Sequence, residues 1–454
     1  MKPRVSLWSL VPLLACAALV GAGIAASEPA RTRSIFPLHL EAGKRHLVDA
    51  EGKAFLLNGD TAWSLVAELT REEVDAYLED RRRKGFNAIL VNLIERRFAT
   101  RAPANRYGEA PFTQPGDFSA PNERYFAHAD YVVGKAAEKG ILVLLAPAYL
   151  GYDGGGQGWY REMAANGASK LRGYGRYLGR RFRHFPNILW VHGGDFNPPD
   201  KALVREIALG ILELDKRSLH TAHGAPETAA LPYWSAEPWL SINNLYTRKP
   251  VFSAALEVYG QSEMPFLLIE GRYENEGGSE GSEHRVRVQA YHALLSGAMG
   301  HVFGNNPMWH FSGPGLYRTS QTWQESLDSP GARSMAHLKN LFASRAWWTL
   351  EPDAANALLT NGLGDGHERA VAARAADRSF AIAYLPSVRP LRIDLTRLAG
   401  PRVDARWLDP ANGSYSEAAA SPFPAVGVRT FRPAGPNSSG FGDWVLILVS
   451  RGER

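Results

Sequence analysis

The strongest constraint on this chain is a regular alternation of short apolar runs with helical periodicities. The runs fall at 55–57, 86–94, 141–146, 187–191, 219–222, 240–244, 265–269 and 301–303. Helical patterns fill most of the gaps, at 70–84, 125–139, 169–185, 199–216 and 283–298. Thr70 and Glu73 have the spacing of a capping box at the start of the first of these. Near-continuous apolar strands separated by helices are the pattern of a parallel sheet covered on both faces. Eight strands in ~250 residues suit a closed (β/α)8 TIM barrel better than an open doubly wound sheet. No dinucleotide or P-loop glycine fingerprint opens any of the helices, which weakens the open-sheet reading further.

The pattern changes near residue 350. Short alternating runs at 379–385, 391–395, 403–408 and 443–449 are separated by turn signals such as Asp365-Gly366 and Asn412-Gly413. This predicts a small C-terminal all-β sandwich domain over 350–454, with a helix near 334–346 bridging it to a barrel domain over 36–346. A chain of 454 residues that is 45% hydrophobic can bury two such cores.

At the other end, Lys2 and Arg4 precede an apolar run at 7–20, then small residues up to Ala26. A charged start, a short apolar core and a small-residue exit read as a signal peptide over 1–26, so export to the periplasm or beyond is expected. The apolar core is too short for a permanent membrane span. Cys16, the single cysteine, lies inside this segment and loosely resembles a lipoprotein attachment site, but apolar residues continue past it. The mature chain is therefore expected to have no disulfide, thiolate nucleophile or thiol-based zinc site. The 51 basic residues against 46 acidic ones give a net charge of +5. Arg81-Arg82-Arg83-Lys84 is their one dense run, read as a solvated helix face; no basic stripe with interleaved aromatics points to nucleic acid. No obligate protein partner is indicated.

In barrels of this type the reactive side chains project from the C-terminal ends of the strands. Read in order, those ends supply Asp60 and Trp63, then Asn92, then Tyr149. The run Trp190-Val191-His192-Gly193-Gly194-Asp195-Phe196-Asn197 follows, then His223, then Asn243, Asn244 and Tyr246. The last two give Ile269-Glu270-Gly271-Arg272-Tyr273-Glu274, and Asn305, Asn306 and Trp309. Amides and carboxylates hydrogen-bond sugar hydroxyls, and aromatic faces stack on sugar rings, so this inventory suits a carbohydrate. Glycoside hydrolysis needs two carboxyl groups flanking one bond. Asp195 and Glu270 are the best pair: each directly follows an apolar strand, and Gly193-Gly194 lets the backbone before Asp195 approach its neighbours closely. Strands four and seven can face one another across the ring. A helix cap or an ion pair is the competing role for each carboxylate, for Asp60 above all. Glu274 is read as orienting a neighbour, and Glu276 and Glu280 as solvated in a Gly-rich loop. His192 and His223 lack metal-ligand spacing and are read as hydrogen-bonding groups; no metal and no cofactor is expected. Trp63, Trp159 and Trp309 are candidate stacking platforms with core packing as the alternative. A serine hydrolase is not expected.

Phe55-Leu56-Leu57-Asn58-Gly59-Asp60-Thr61-Ala62-Trp63, the stretch from Arg82 to Asn92 with Gly85-Phe86-Asn87, Pro186-Asn187-Ile188-Leu189-Trp190 running into Gly193-Gly194-Asp195, and Glu270-Gly271-Arg272-Tyr273-Glu274 together resemble the apiosidase-like glycoside hydrolases over residues 36–346. Arg406-Trp407-Leu408-Asp409-Pro410 and Gly442-Asp443-Trp444-Val445-Leu446 are similar to the small β-domain that commonly follows, a module labelled collagen-binding. The resemblance implies a (β/α)8 barrel, a retaining mechanism, an acid/base aspartate at Asp195 and a nucleophilic glutamate at Glu270. Apiose release from pectic side chains is known for the family, which is broad.

The reading is therefore a secreted retaining exo-glycosidase without a cofactor, acting on a terminal sugar of plant or bacterial polysaccharide side chains. Asp195 and Glu270 react; Asp60, Trp63, Asn92, Tyr149, His192, Asn197, Asn243, Tyr246, Tyr273 and Trp309 bind substrate. Two alternatives stay open: a non-catalytic polysaccharide-binding protein on a degenerate barrel, and an adhesion or collagen-degrading role through the tail.

Overall fold

The computed structural model describes Met1 and residues 34–452. The expected signal peptide and Cys16 lie outside the described residues.

The chain enters through three short antiparallel strands, β1 (His39–Leu40), β2 (Leu47–Val48) and β3 (Ala54–Phe55). The barrel strands follow: β4 (Leu57–Thr61), β5 (Ala88–Asn92), β6 (Leu142–Ala146), β7 (Ile188–Gly193) and β8 (Leu219–His223). A two-residue β9 (Thr228–Ala229) precedes β10 (Asn243–Tyr246), β11 (Phe266–Glu270) and β12 (Gly300–Phe303). Their order in the sheet is β8-β7-β6-β5-β4-β12-β11-β10-β9; all pairs are parallel except β9 with β10. The seam between β8 and β10 is closed by Ser241 and Ile242 amides donating to the His220 carbonyl (3.0 and 3.1 Å) and by the Asn244 amide group donating to Ala222 O.

Around the strands run α1 (Leu65–Glu68), α2 (Arg71–Arg83), α3 (Glu123–Glu138), α4 (Tyr160–Phe182), α5 (Ala202–Leu214), α6 (Ala230–Trp234), α7 (Val251–Gln261), α8 (Glu283–Leu295), α9 (Trp323–Ser326) and α10 (Pro330–Ala343). The Thr70–Glu73 capping box forms at the start of α2, satisfying two otherwise orphaned amides. Among the described residues no helix is long and apolar enough to cross a membrane.

One expectation about α2 fails informatively. Arg82 and Arg83 are exposed, but Arg81 is fully buried and ion-paired with Asp60 (3.2 Å) and Asp80 (2.8 Å). The first barrel strand begins two residues later than the apolar run suggests, so Asp60 lies inside β4, not beyond it. There it also accepts a hydrogen bond from Tyr77 (2.7 Å), and it does not reach the barrel mouth.

The C-terminal part is all-β. Its strands are β13 (Leu350–Pro352), β14 (Leu359–Asn361), β15 (Val371–Ala375), β16 (Phe380–Leu385), β17 (Leu391–Asp394), β18 (Arg402–Leu408), β19 (Tyr415–Glu417), β20 (Phe423–Pro424), β21 (Val428–Phe431) and β22 (Trp444–Arg451). They make a large antiparallel sheet, β13-β15-β16-β22-β18-β19 with β20 on β18, and a small one, β14-β17-β21. The alternation of side chains along a strand is used on both faces. Ala381, Ala383, Leu385, Leu446 and Leu448 pack toward Leu391, Ile393 and Phe431 of the small sheet. Phe380, Ile382, Tyr384, Val445 and Ile447 join one apolar cluster with Val286, Tyr291 and Leu294 of α8 and Met335, Leu338 and Phe342 of α10. The bridge is thus a whole sheet face rather than one helix. A fully buried Arg287–Asp443 ion pair (2.7 Å) and a stacked Tyr291–Tyr384 ring pair (4.5 Å) secure it.

Candidate active site

β7 ends on two glycines because nothing larger fits there. Gly193 has φ +91°, and a Cβ on it would lie 2.2 Å from the His223 carbonyl oxygen. A Cβ on Gly194 would lie 2.7 Å from both the Leu150 amide and the Tyr149 ring. Freed of side chains, the backbone presses between β8 and the loop after β6. Gly194 donates to His223 O (3.0 Å) and Leu150 to Gly193 O (3.1 Å). That turn carries Asp195 into the mouth of the barrel. Glu270 and His223 arrive more simply, as the last residues of β11 and β8.

These three side chains meet. His223 Nε2 is 2.8 Å from Glu270 Oε2, and His223 Nδ1 is 3.5 Å from Asp195 Oδ1. A carboxyl oxygen of Asp195 and one of Glu270 lie within 4.8 Å of each other. Burial, followed by the nearby Glu270 carboxylate, pushes the Asp195 carboxyl up to about 7. Burial alone would lower the His223 imidazole; the hydrogen bond to Glu270 and the charges of Glu270 and Asp195 outweigh it and push it up to about 9. The imidazole thus bridges the two carboxyls, in surroundings that favour the protonated forms of both His223 and Asp195. The same three groups converge closely enough for a cation.

The pair opens into a cavity of about 300 Å³. Of the residues expected to bind substrate, Trp63, Asn92, Tyr149, Tyr273 and Trp309 line it with Asp195 and Glu270. Trp63 Nε1 donates to the Tyr273 hydroxyl (3.0 Å), which fixes both rings, and Trp63 meets His223 edge-on at 5.8 Å. Tyr246 sits at the edge of the site, its ring 5.1 Å from that of His223 and its hydroxyl accepting from Arg248 (2.8 Å).

Four expected substrate ligands are elsewhere. Asp60 is consumed by Arg81 and Tyr77, as above. His192 lies inside β7, fully buried, stacked on His220 and hydrogen-bonded to it (2.8 Å); burial holds it neutral. Asn243 is the first residue of its strand, so it is at the wrong end of the barrel layer; its Oδ1 accepts from Leu231 and Asn244 amides. Asn197 folds back onto the Ala225 amide (3.1 Å). Trp159 is a core residue that donates to Ile94 O. Glu274 takes hydrogen bonds from Asn305 and the Gly331 amide, the orienting part expected of it.

Sequence reasoning missed several lining residues. Arg248, Gln157 and Tyr317 stand on the cavity wall, on loops without periodicity to announce them, and Arg272, read at the end of its strand but given no role, joins them. Glu276 is the clearest miss: it is not solvated but lines the cavity, with Oε1 accepting from Trp309 Nε1 (2.9 Å). Gly277-Gly278-Ser279-Glu280-Gly281 has the letter spacing of a serine-hydrolase elbow. Ser279 sits instead on an exposed 3-10 turn, not between a strand and a helix, so the chemistry does not follow.

Comparison with known families and structures places the chain. A family model described as "Apiosidase-like, catalytic domain" matches residues 41–349, and one described as "Putative collagen-binding domain of a collagenase" matches 352–449. Comparison with curated proteins returns no match. A solved structure described as a glycoside hydrolase is similar at TM-score 0.80 and 25% identity, over 92% of this chain and 98% of that one. A glycoside hydrolase family 5 protein from Bacteroides vulgatus is equally similar, at TM-score 0.80 and 25% identity over 92% and 95%. A third structure, also from Bacteroides vulgatus, shares the fold at TM-score 0.71 and 16% identity over 93% and 84%. With its catalytic-domain match covering most of the chain and its carboxylate pair at the barrel mouth, the protein belongs to the apiosidase-like family and is a glycoside hydrolase.

Proposed function

We propose that the protein is a secreted retaining exo-glycosidase that removes a terminal sugar from plant or bacterial polysaccharide side chains. The observation that carries the mechanism is the carboxylate separation. Retaining enzymes hold their two carboxyl groups ~5–5.5 Å apart, whereas inverting ones leave ~6.5–9.5 Å for a water. Asp195 and Glu270 approach within 4.8 Å. Glu270 attacks the anomeric carbon while Asp195 gives its proton to the departing glycosidic oxygen. A water then loses a proton to Asp195 and displaces Glu270, restoring both groups. Protonation of Asp195 up to about pH 7 suits the first step, and His223 Nε2, 2.8 Å from Glu270 Oε2, positions the nucleophile. Export rests on the N-terminal sequence.

The test is a screen of aryl apiofuranoside, arabinofuranoside, galactoside and glucoside, with the first-formed anomer read by NMR. The expected outcome is a product of retained configuration, and loss of turnover in Glu270→Gln. Asp195→Ala should lose ~10²–10⁴-fold on sugars with poor leaving groups and far less on activated ones. An inverted product, or equal loss on all leaving groups, overturns the mechanism. Activity of Glu270→Gln equal to wild type would favour another site altogether.

A further inference from the structure

Glu276 is held in place more firmly than a loop acid needs to be. It lies between β11 and α8, on a loop whose backbone is closed on itself: Asn275, in the left-handed region at φ 65°, donates to Gly281 O (2.8 Å). A Cβ on Gly281 would fall 2.1 Å from the Glu276 carbonyl oxygen and 2.4 Å from its amide, so only glycine lets the loop close there. The Asn275 side chain ties the loop to Asn306 O across to the turn after β12 (3.3 Å). From that same turn Trp309 donates to Glu276 Oε1, and Trp309 is braced edge-on by Phe98 at 5.1 Å. One carboxyl oxygen is thus fixed by a donor that is itself fixed. The other, Oε2, receives no hydrogen bond from any described residue, and the side chain lines the cavity that contains Glu270 and Asp195.

A carboxylate oxygen anchored on one side and open to a sugar-sized cavity on the other is an acceptor prepared for a donor from the ligand. Sugar hydroxyls are such donors, and charge-assisted hydrogen bonds to them are about twice as strong as neutral ones. We propose that Glu276 is a substrate-binding and specificity-determining residue that accepts hydrogen bonds from hydroxyl groups of the sugar held against Glu270. The inference rests on the glycosidase reading above and goes beyond it by selecting sugars with free hydroxyls on the Trp309 side of the cavity. Burial, opposed by the Trp309 bond and assisted by the Glu270 charge, pushes the Glu276 carboxyl up to about 7. The residue therefore accepts best in its ionised form, at neutral pH and above, or when a bound hydroxyl stabilises its charge.

Glu276→Gln is the informative variant. Its amide oxygen can still accept from Trp309, so the loop keeps its anchor, while the charge and one acceptor facing the cavity are lost. Trp309→Phe removes the anchor but keeps the charge. On the best aryl glycoside of the screen, Glu276→Gln is expected to lose ~10–100-fold in kcat/KM, mainly through KM, with a melting temperature no lower than that of wild type. On the matching deoxy-sugar glycoside, wild type should already be weak and the variant should lose little more. Glu276→Gln within twofold of wild type on the hydroxylated substrate, in an enzyme that Glu270→Gln inactivates, overturns this inference and leaves the glycosidase reading intact. A wild type inactive on every probe removes both.

Discussion

His223 sets the charge balance of the site, and its replacement by Gln has a calculable effect. A rise of the imidazole from its ordinary 6.5 to about 9 means that the folded site favours the charged form by about 3 kcal/mol. The unfolded histidine releases its proton near 6.5 and the folded one near 9. Between those values the folded state holds a proton that the unfolded state lacks, so stability falls as pH rises. Asp195 and Glu276, both pushed up to about 7, act in the same direction but below pH 7. Lys339, which burial lowers to about 8, acts in the opposite sense above pH 8. The quantity to measure is therefore the difference between wild type and His223→Gln from pH 7 to 9, because Lys339 is common to both. Of that about 3 kcal/mol, about 2 kcal/mol is lost between pH 7 and 9. At ~2.1 cal/mol/K per residue, a unit spanning Ile35–Arg454 has an unfolding entropy of ~0.9 kcal/mol/K, so about 2 kcal/mol appears as ~2 °C. Differential scanning calorimetry should show the wild-type melting temperature falling by about that much relative to the variant across the interval. In kinetics, loss of the cation raises the proton affinity of Asp195, which the His223 charge otherwise lowers. The pH profile of kcat/KM should move to higher pH and its maximum should drop ~10–100-fold, the worth of a hydrogen bond to a charged group. Parallel melting curves together with an unmoved pH profile would refute the assignment of His223 as a protonated bridge.

Two further perturbations test the frame around the site. Gly193→Ala forces a Cβ onto the His223 carbonyl at a φ of +91° and should displace Asp195, lowering activity far more than it lowers the far-ultraviolet helical signal. Asp60→Ala leaves the buried Arg81 with Asp80 alone and Tyr77 without its acceptor; it should cost about 3 kcal/mol, ~3 °C in melting temperature, while KM stays unchanged. A raised KM with no loss of stability would restore Asp60 to the substrate.

The alternation of apolar runs and helices carried the barrel because strand burial on both faces leaves a signature that no surface element imitates. The pair of carboxyls at the mouth was legible for a related reason: Asp195 and Glu270 are the first carboxylates after their apolar runs, and the glycines before Asp195 have no use in an ordinary strand. What periodicity could not supply was register. The strand end was placed before Asp60 and before His192, whereas β4 runs on through Thr61 and β7 through Gly193. An error of two to four residues moves a side chain from the mouth to the layer beneath it. Conversely, Asn243 begins β10 instead of ending a strand. Arg81 and Glu276 failed by another route. Each looks like an ordinary polar surface residue in sequence, and only a partner more than twenty residues away, Asp60 or Trp309, makes it a buried or anchored charge.

The C-terminal module presents the same lesson at the scale of a domain. As a sequence it reads as an appendage, and its family description invites a search for a binding face. Its large sheet has no face to spare. Phe380, Ile382, Tyr384, Val445 and Ile447 are spent on α8 and α10 of the barrel, and the alternate residues of the same strands are spent on the small sheet. Separation would expose both sides of the first contact, with each large apolar side chain worth ~1.5–3 kcal/mol, and would leave Arg287 and Asp443 as unpaired charges in apolar surroundings. Helix α8 confirms the dependence from the barrel's side. Every residue from Val286 to Leu295 is buried, which an outer helix of a free-standing barrel could not be. Any second ligand of this module would have to use the outer face of β14-β17-β21, where Thr360, Arg392 and Thr430 are exposed, or a sheet edge. The sheet's principal work is to complete the wall of α8, whose preceding loop carries Glu276 into the cavity beside Asp195 and Glu270.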